Sequence, residues 1–333
     1  MKRYLRIWLI LFSLIFVLGW SIAPEPEDEG RDGPQQELPA RQTPHRDEAT
    51  VLRILHDGAV EKMDMSSYLT GVLRAEMPAS FEMEALKAQA VAARTYTLYR
   101  MANGAAEAHP EADACDDIRC CKAYETAEEA ASRWGGKAEE YEQKLCRAVE
   151  ETDGEIMVYD GEPVLAVFFS SAAGRTQPSG AVWQRDLPYL KSVPSPETET
   201  LVPDYYSAVC FSREEFCSKI KAACPDARFE AGEPLCRILE TEGGYVLRAQ
   251  TGGLTLRGSD IRAALSLRSP CFTAEEKEDS ILFHVTGYGH GVGMSQYGAN
   301  ILAGRGSSCE EILRHYYSGV SIVRRGEENI AKK

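Results

Sequence analysis

Apolar positions in the first third of the body follow helical spacing. Met65, Leu69, Val72 and Glu76 recur at intervals of four, three and four, so a helix begun at Met65 carries Glu76 on its apolar stripe. Asp64 or Ser66 supplies a cap, and Pro78 disfavours helical geometry at Met77, which ends the helix at about Glu76. A second helix is expected over 81–101, capped by Ser80, with an alanine-rich middle that permits close packing. A charged helix is expected from about residue 143. The pattern then turns to strands at 156–159, 164–170, 245–250, 254–257 and 281–285, separated by Gly and Asp-Gly turns. A last helix over 308–317 opens on Ser308 with Glu311 in capping-box position. Helices and strands are segregated more than alternated, so the expected class is α+β, a helical segment packed on a β-rich core. Residues 205–236, with Cys210, Cys217, Cys224 and Cys236, read as an insertion with its own short helix.

The N-terminus has a different pattern. Lys2, Arg3 and Arg6 precede an apolar run over 7–22, and acidic residues follow it at 25–32. With its flanks the run approaches the roughly 20 residues that cross a bilayer, so residues 1–23 are expected to be a single transmembrane anchor with the body exported. A cleaved signal peptide is the competing reading, although Pro24 after Ser21-Ile22-Ala23 disfavours cleavage. Residues 24–48 read as a flexible linker, 49–324 as the folded domain and 325–333 as a disordered tail. A net charge of −14 over 333 residues argues against a nucleic-acid partner, and it leaves any anionic substrate to be met by local cations.

Candidate chemistry concentrates in three places. A carboxyl at the end of an apolar helical stripe feels desolvation and the negative end of the helix dipole, and both raise its pKa. Glu76 therefore has the surroundings of a general acid, whereas Glu82 and Glu84 simply suit the start of the next helix. Lys87 and Arg94 are seven apart and share a face of that helix. The stretch GYGHGVGMSQYGAN frames His290 with glycines at 287, 289, 291 and 293, followed by Ser295, Gln296 and Tyr297; it is no phosphate loop, since no GK[ST] ends it. Ser170, Ser171, Arg175 and Thr176 end a strand with no activating His or Asp beside them, so a serine hydrolase is not expected. His109, Cys115, Cys120 and Cys121 offer four soft ligands within 13 residues, enough for a closed tetrahedral zinc site. Disulfides are the alternative in an exported domain. However, Cys120 and Cys121 are adjacent, His109 has no place in such a scheme, and seven cysteines remain outside the cluster, an odd number. No HExxH is present, which leaves a zinc hydrolase unsupported.

The segment 68–99, together with FFSSAAGRT at 168–176, AALSLRSPCF at 263–272 and GYGHGVGMSQYGA at 287–299, resembles the stage II sporulation protein D family of peptidoglycan lytic transglycosylases. The likeness extends from about Val51 to Val320. One departure is Ala172-Ala173-Gly174, where such proteins usually carry a Ser-Gly-Gly type turn. The resemblance implies that Glu76, in the EMP tripeptide, is the catalytic residue. It would cleave the β-1,4 bond between N-acetylmuramic acid and N-acetylglucosamine without water, leaving a 1,6-anhydro ring. One carboxyl suffices for this, first as acid and then as base toward the C6 hydroxyl.

Lys87, Arg94 and Tyr96 are expected as substrate contacts, the two cations toward a lactyl carboxylate. Ser170, Ser171, Arg175, Thr176, His290, Ser295, Gln296 and Tyr297 are expected to line the sugar cleft. Some relatives carry a Cys/His zinc cluster in the 109–121 segment, which implies one structural zinc per chain. The family context implies peptidoglycan strands stripped of stem peptides by a partner amidase, within a complex that includes a membrane protein. It places the protein in the mother-cell membrane, facing the forespore during engulfment. The alternative from another class is a noncatalytic cell-wall module that stimulates an amidase, as related proteins do.

Overall fold

The computed structural model describes residues 45–325, apart from 105–108, 118–119, 184 and 231. The expected anchor over 1–23 lies outside the described residues, as do most of the linker and nearly all of the tail. Among the described residues no helix is long and apolar enough to cross a membrane.

The chain opens with a hairpin of β1 (Val51–His56) and β2 (Ala59–Asp64), followed by α1 (Met65–Glu76) and α2 (Met83–Ala102). A short β3 (Ala114–Cys115) lies parallel to β1. Then come α3 (Ala127–Trp134), α4 (Ala138–Glu151), β4 (Glu155–Tyr159), β5 (Glu162–Pro163), β6 (Phe168–Phe169) and the single turn α5 (Ser179–Val182). The next stretch holds β7 (Tyr206–Ser212), α6 (Arg213–Ala223), β8 (Arg237–Glu242), β9 (Tyr245–Thr251), β10 (Leu254–Leu256), α7 (Gly258–Leu265), β11 (Phe272–Glu276) and β12 (Ser280–Thr286). The chain closes with β13 (Met294–Ser295), α8 (Gln296–Gly304), α9 (Cys309–Tyr316) and β14 (Ser321–Arg324), which returns antiparallel to β4.

Two hydrophobic cores result. The first is built around α2, which packs against α1, α4, α8, α9 and β4. Ala85, Ala88, Ala90, Ala92 and Ala93 are all fully buried, so α2 has small residues on every side and neighbours can wrap it. The second core joins the sheet β11-β12-β7 to α6, α7 and β9 through Phe216, Phe272 and Phe283. The class is α+β, as expected. The proposed insertion over 205–236 is too narrow: β7 pairs with β12 along its whole length, so the second core draws on residues 206–286 as one unit.

Local outcomes differ where a tertiary partner decides. α1 starts and stops as the spacing predicts, with Asp64 accepting the Ser67 N–H at 2.8 Å. α2 begins two residues late, at Met83, and Ser80 does not cap it; Glu82 occupies the cap position with no side-chain bond. The strand expected over 164–170 shrinks to Phe168–Phe169 because its only ladder partner is the two-residue β13. Residues 45–48, expected as linker, belong to the folded body, since Asp47 is buried against α2.

Candidate active site

Glu76 closes α1 and its carboxyl is largely withdrawn from water. The backbone N–H of Ala123 donates to Oε1 at 3.0 Å. Burial raises the carboxyl above the usual glutamate range; Lys122, the Ala123 N–H and Gln296 each oppose that rise without cancelling it. None of these groups is a carboxylate. Gln296 itself is buried at the first position of α8, and its Nε2 makes no hydrogen bond of good geometry.

Lys122, which sequence reasoning missed, is the electrostatic counterpart. Its ammonium lies 4.0 Å from the centre of the Tyr96 ring and 3.7 Å from that of Phe168, in a position where burial pulls its pKa down to about 8. Two ring faces substitute for part of the lost hydration, and the Glu76 charge favours keeping the proton. His290 lies in the same field. Desolvation first, then Lys122 and Arg262, push its pKa down to about 3, so the imidazole is neutral at physiological pH. Its Nδ1 accepts the Val292 N–H at 3.1 Å, which leaves the proton on Nε2, and the ring sits 5.5 Å from Phe169 and 5.6 Å from Trp183.

The glycines around His290 serve a different purpose from the close ligand approach expected of them. All four have positive φ, between 75° and 115°, and each backbone is pressed against the chain over 167–177. A Cβ at Gly293 would stand 2.1 Å from the Val167 carbonyl oxygen, and one at Gly287 would stand 2.6 Å from that of Ser171. The result is a double latch: Ser171 and Tyr288 exchange backbone bonds at 2.9 and 2.8 Å, and Gly291 accepts the Gln177 N–H at 2.6 Å. This latch seats His290 and brings Ser170, Ser171 and Tyr297 to one cavity of about 210 Å³.

The structure thus brings together Glu76, Tyr96, His290 and Gln296, with Ser170, Ser171 and Tyr297 beside them. It sends the other expected contacts elsewhere. Arg94 does not face the cleft: it is fully buried, its guanidinium paired with Asp47 at 2.6 Å and bonded to the Glu155 carbonyl at 3.1 Å. Lys87, on the same face, pairs with Glu84 at 2.8 Å and Glu151 at 3.4 Å in a separate cavity of about 610 Å³. The reason is geometric, because residues 87 and 94 point toward α4 while Tyr96 points to the other side of α2. Thr176 is buried in bonds to Lys191 and Val193. Arg175 is exposed and donates to Ser192 at 2.8 Å. Ser295 caps α8 and donates to Glu197, a buried carboxylate that also accepts the Ala172 N–H at 2.9 Å. Glu197 had no sequence signal, since 192–200 follows neither helix nor strand spacing.

The four expected metal ligands converge. Donor atoms of His109, Cys115, Cys120 and Cys121 lie within 4.8 Å of one another, and His109 Nε2 is 3.2 Å from Cys121 Sγ. The other imidazole nitrogen, Nδ1, is 3.2 Å from the Ala112 carbonyl, which fixes the tautomer that leaves Nε2 free for a metal. All ten cysteines are free, so none of the four donors is committed to a disulfide. A soft set of four donors with an oriented imidazole fits zinc.

A desolvated carboxyl with a raised pKa beside a buried ammonium, in an α+β protein, is what this geometry defines. A SpoIID family profile, described as Stage II sporulation protein, matches residues 56–159. Stage II sporulation protein D of Bacillus subtilis (strain 168) is 38% identical over 265 residues, 79% of this chain and 76% of that protein. Its counterpart in Bacillus amyloliquefaciens is 38% identical over 266 residues, 79% of this chain and 75% of its own. The chain belongs to the stage II sporulation protein D family. A more distant relative, 27% identical over 304 residues and covering 77% of this chain and 40% of its own length, is the Amidase enhancer of Bacillus subtilis (strain 168).

Proposed function

We propose that this chain is a lytic transglycosylase of sporulation, cleaving the bond between N-acetylmuramic acid and N-acetylglucosamine in peptide-free glycan strands. The observation that carries this reading is Glu76: a largely desolvated carboxyl whose pKa is raised above the usual range, with no carboxylate among the groups that shift it. A hydrolase of the two-carboxylate kind needs a second acid about 5–9.5 Å away.

In the proposed mechanism the protonated Glu76 donates to the glycosidic oxygen as the C1–O bond breaks. The carboxylate so formed is stabilised by the Lys122 ammonium and the Ala123 N–H. It then removes the proton from the C6 hydroxyl of the same muramic acid as O6 closes on C1, which restores the acid. Gln296 offers hydrogen bonds to hydroxyl or N-acetyl groups without competing for the proton, and neutral His290, bonded to the Val292 and Phe168 backbone, adds no charge beside it. Zinc would be held by His109, Cys115, Cys120 and Cys121; when bound it supplies folding free energy with no open position for chemistry. The setting proposed is the mother-cell membrane, reached through an N-terminal anchor, beside an amidase and a membrane protein.

The second reading, a noncatalytic module that stimulates an amidase, is favoured by the likeness to the Amidase enhancer. Mass spectrometry of fragments released from denuded glycan in ¹⁸O-labelled water separates these possibilities. Unlabelled 1,6-anhydro ends are expected; labelled reducing ends would mean hydrolysis, and no fragments at all would leave the module.

A further inference from the structure

Among the described residues Lys122, Arg100, Arg262 and Arg268 approach this cleft in a chain of net charge −14, and Arg100 is hydrogen-bonded to Tyr96. Lys122 is engaged by Glu76, and the Arg262 Nε donates to the Arg268 carbonyl at 3.2 Å. Arg268 is the cation left over. Its guanidinium lies 4.6 Å from the centre of the half-exposed Tyr288 ring and lines the 210 Å³ cavity with Ser170, Ser171 and Tyr297. Among the described residues its Nε has no hydrogen-bond partner, and its ion pair to the exposed Asp204, which also lines the cavity, is 3.8 Å long. Ser171, 4% exposed, likewise has a buried hydroxyl with no partner. A buried guanidinium Nε and a buried hydroxyl, both without a hydrogen-bond partner in one cavity, are unfavourable unless a ligand completes them. The backbone there is fixed, since the Arg268 carbonyl also accepts the Gly289 N–H at 2.8 Å. The side chain can therefore turn on the Tyr288 ring to meet a ligand while its anchor stays in place.

We propose that Arg268, with Ser171, forms a carboxylate-reading subsite that receives the free lactyl carboxylate of a muramic acid residue in the bound glycan. Resting on the glycan-cleaving reading above, it supplies the cation that Lys87 and Arg94, both paired elsewhere, do not provide. The start of α8 links the subsite to the acid: Gln296 acts on Glu76, and the next residue, Tyr297, lines the cavity. A lactyl group tied up in an amide to a stem peptide has no charge for the fork to bind. Selection of peptide-free strands then has a physical basis in one side chain.

The test measures binding to the full chain carrying Glu76→Gln, so that turnover does not interfere. The probes are a tetrasaccharide of alternating N-acetylglucosamine and N-acetylmuramic acid, the same sugar with its lactyl groups as methylamides, and a free stem tetrapeptide. The acid should bind at least about tenfold more tightly than the amide, the scale of one charge-assisted hydrogen bond. Adding Arg268→Gln should bring the two to within about twofold, and Arg268→Lys, which keeps the charge but loses the fork, should fall between them. Equal binding of acid and amide, a preference that survives in a folded Arg268→Gln protein, or tighter binding of the tetrapeptide than of the sugar acid overturns the subsite. Turnover by the unmutated chain is scored separately: an Arg268-dependent preference without cleavage removes the transglycosylase and keeps the subsite, and cleavage without the preference does the reverse.

Discussion

Ala123 donates its backbone N–H to Glu76 Oε1 at 3.0 Å, two residues after Cys121 of the candidate metal cluster. The segment that carries the soft ligands is thus the same one that delivers an N–H and the Lys122 ammonium to the acid. A metal bound by His109, Cys115, Cys120 and Cys121 would fix this loop and so hold both groups where the proposed mechanism places charge on Glu76. Preorganised donors of this kind stabilise a transition state without reorganising.

Glu76→Gln keeps the shape and removes the titratable proton, so turnover of denuded glycan should fall at least about 100-fold, the usual scale of general acid-base catalysis. The sign of the stability effect is opposite. A carboxyl whose folded pKa is raised contributes stability that is present at low pH and lost as pH rises through that pKa. At pH 7 the variant should therefore melt no lower than the parent, by scanning calorimetry. A large drop in melting temperature would mean that Glu76 is chiefly structural.

How much of this was legible follows from the range of the forces involved. Glu76 could be read from sequence because its burial and helix end are set by α1 and Pro78, all local. The convergence of His109, Cys115, Cys120 and Cys121 was legible because they lie within 13 residues of one another. Lys122 was not, since its position depends on Phe168 and Tyr96 converging from distant elements. Arg94 was assigned to the cleft for want of its partner: Asp47 lies in a stretch with linker-like composition, and only the folded chain brings it to α2. The glycines around His290 were recognised as close-approach positions, but spacing alone does not say that the approaching group is the chain's own backbone.

Lys122→Met removes the cation that opposes the rise of the Glu76 pKa, so the carboxyl should hold its proton to higher pH. Because the free enzyme must start protonated, the alkaline limb of kcat/KM should move up in pH, while kcat falls for want of charge stabilisation. A pH–rate profile of the two proteins decides this. An unmoved alkaline limb would show that Lys122 does not act on Glu76.

Metal removal should act through the same loop. Chelation, or Cys121→Ser, should lower the melting temperature by more than about 2 °C, the equivalent of roughly 1 kcal/mol for a domain of this size. Activity should decline together with structure and not before it. Cys309→Ser, a buried thiol outside the cluster, should keep zinc near one per chain by metal analysis of reduced protein. Zinc-free protein with Cys115 or Cys120 found in a disulfide would replace the metal with a covalent staple.

Arg94 and Asp47 make the last case, in which a residue expected in the cleft becomes a determinant of folding. The guanidinium is fully buried and donates to both carboxylate oxygens of Asp47, to the Glu155 and Val149 carbonyls and to Thr152. Removing either partner strands the other charge away from water, at a cost of about 3–5 kcal/mol. Asp47→Ala and Arg94→Ala should each lose stability on that scale in urea titrations. Arg94→Lys should restore little of it, because a single ammonium cannot reach all of these acceptors. If Arg94 were a substrate contact, Asp47→Ala would leave stability intact and Arg94→Ala would raise KM in a fully folded protein. The structure predicts the reverse: a KM within about twofold of the parent in whatever fraction folds, and a much smaller fraction folded.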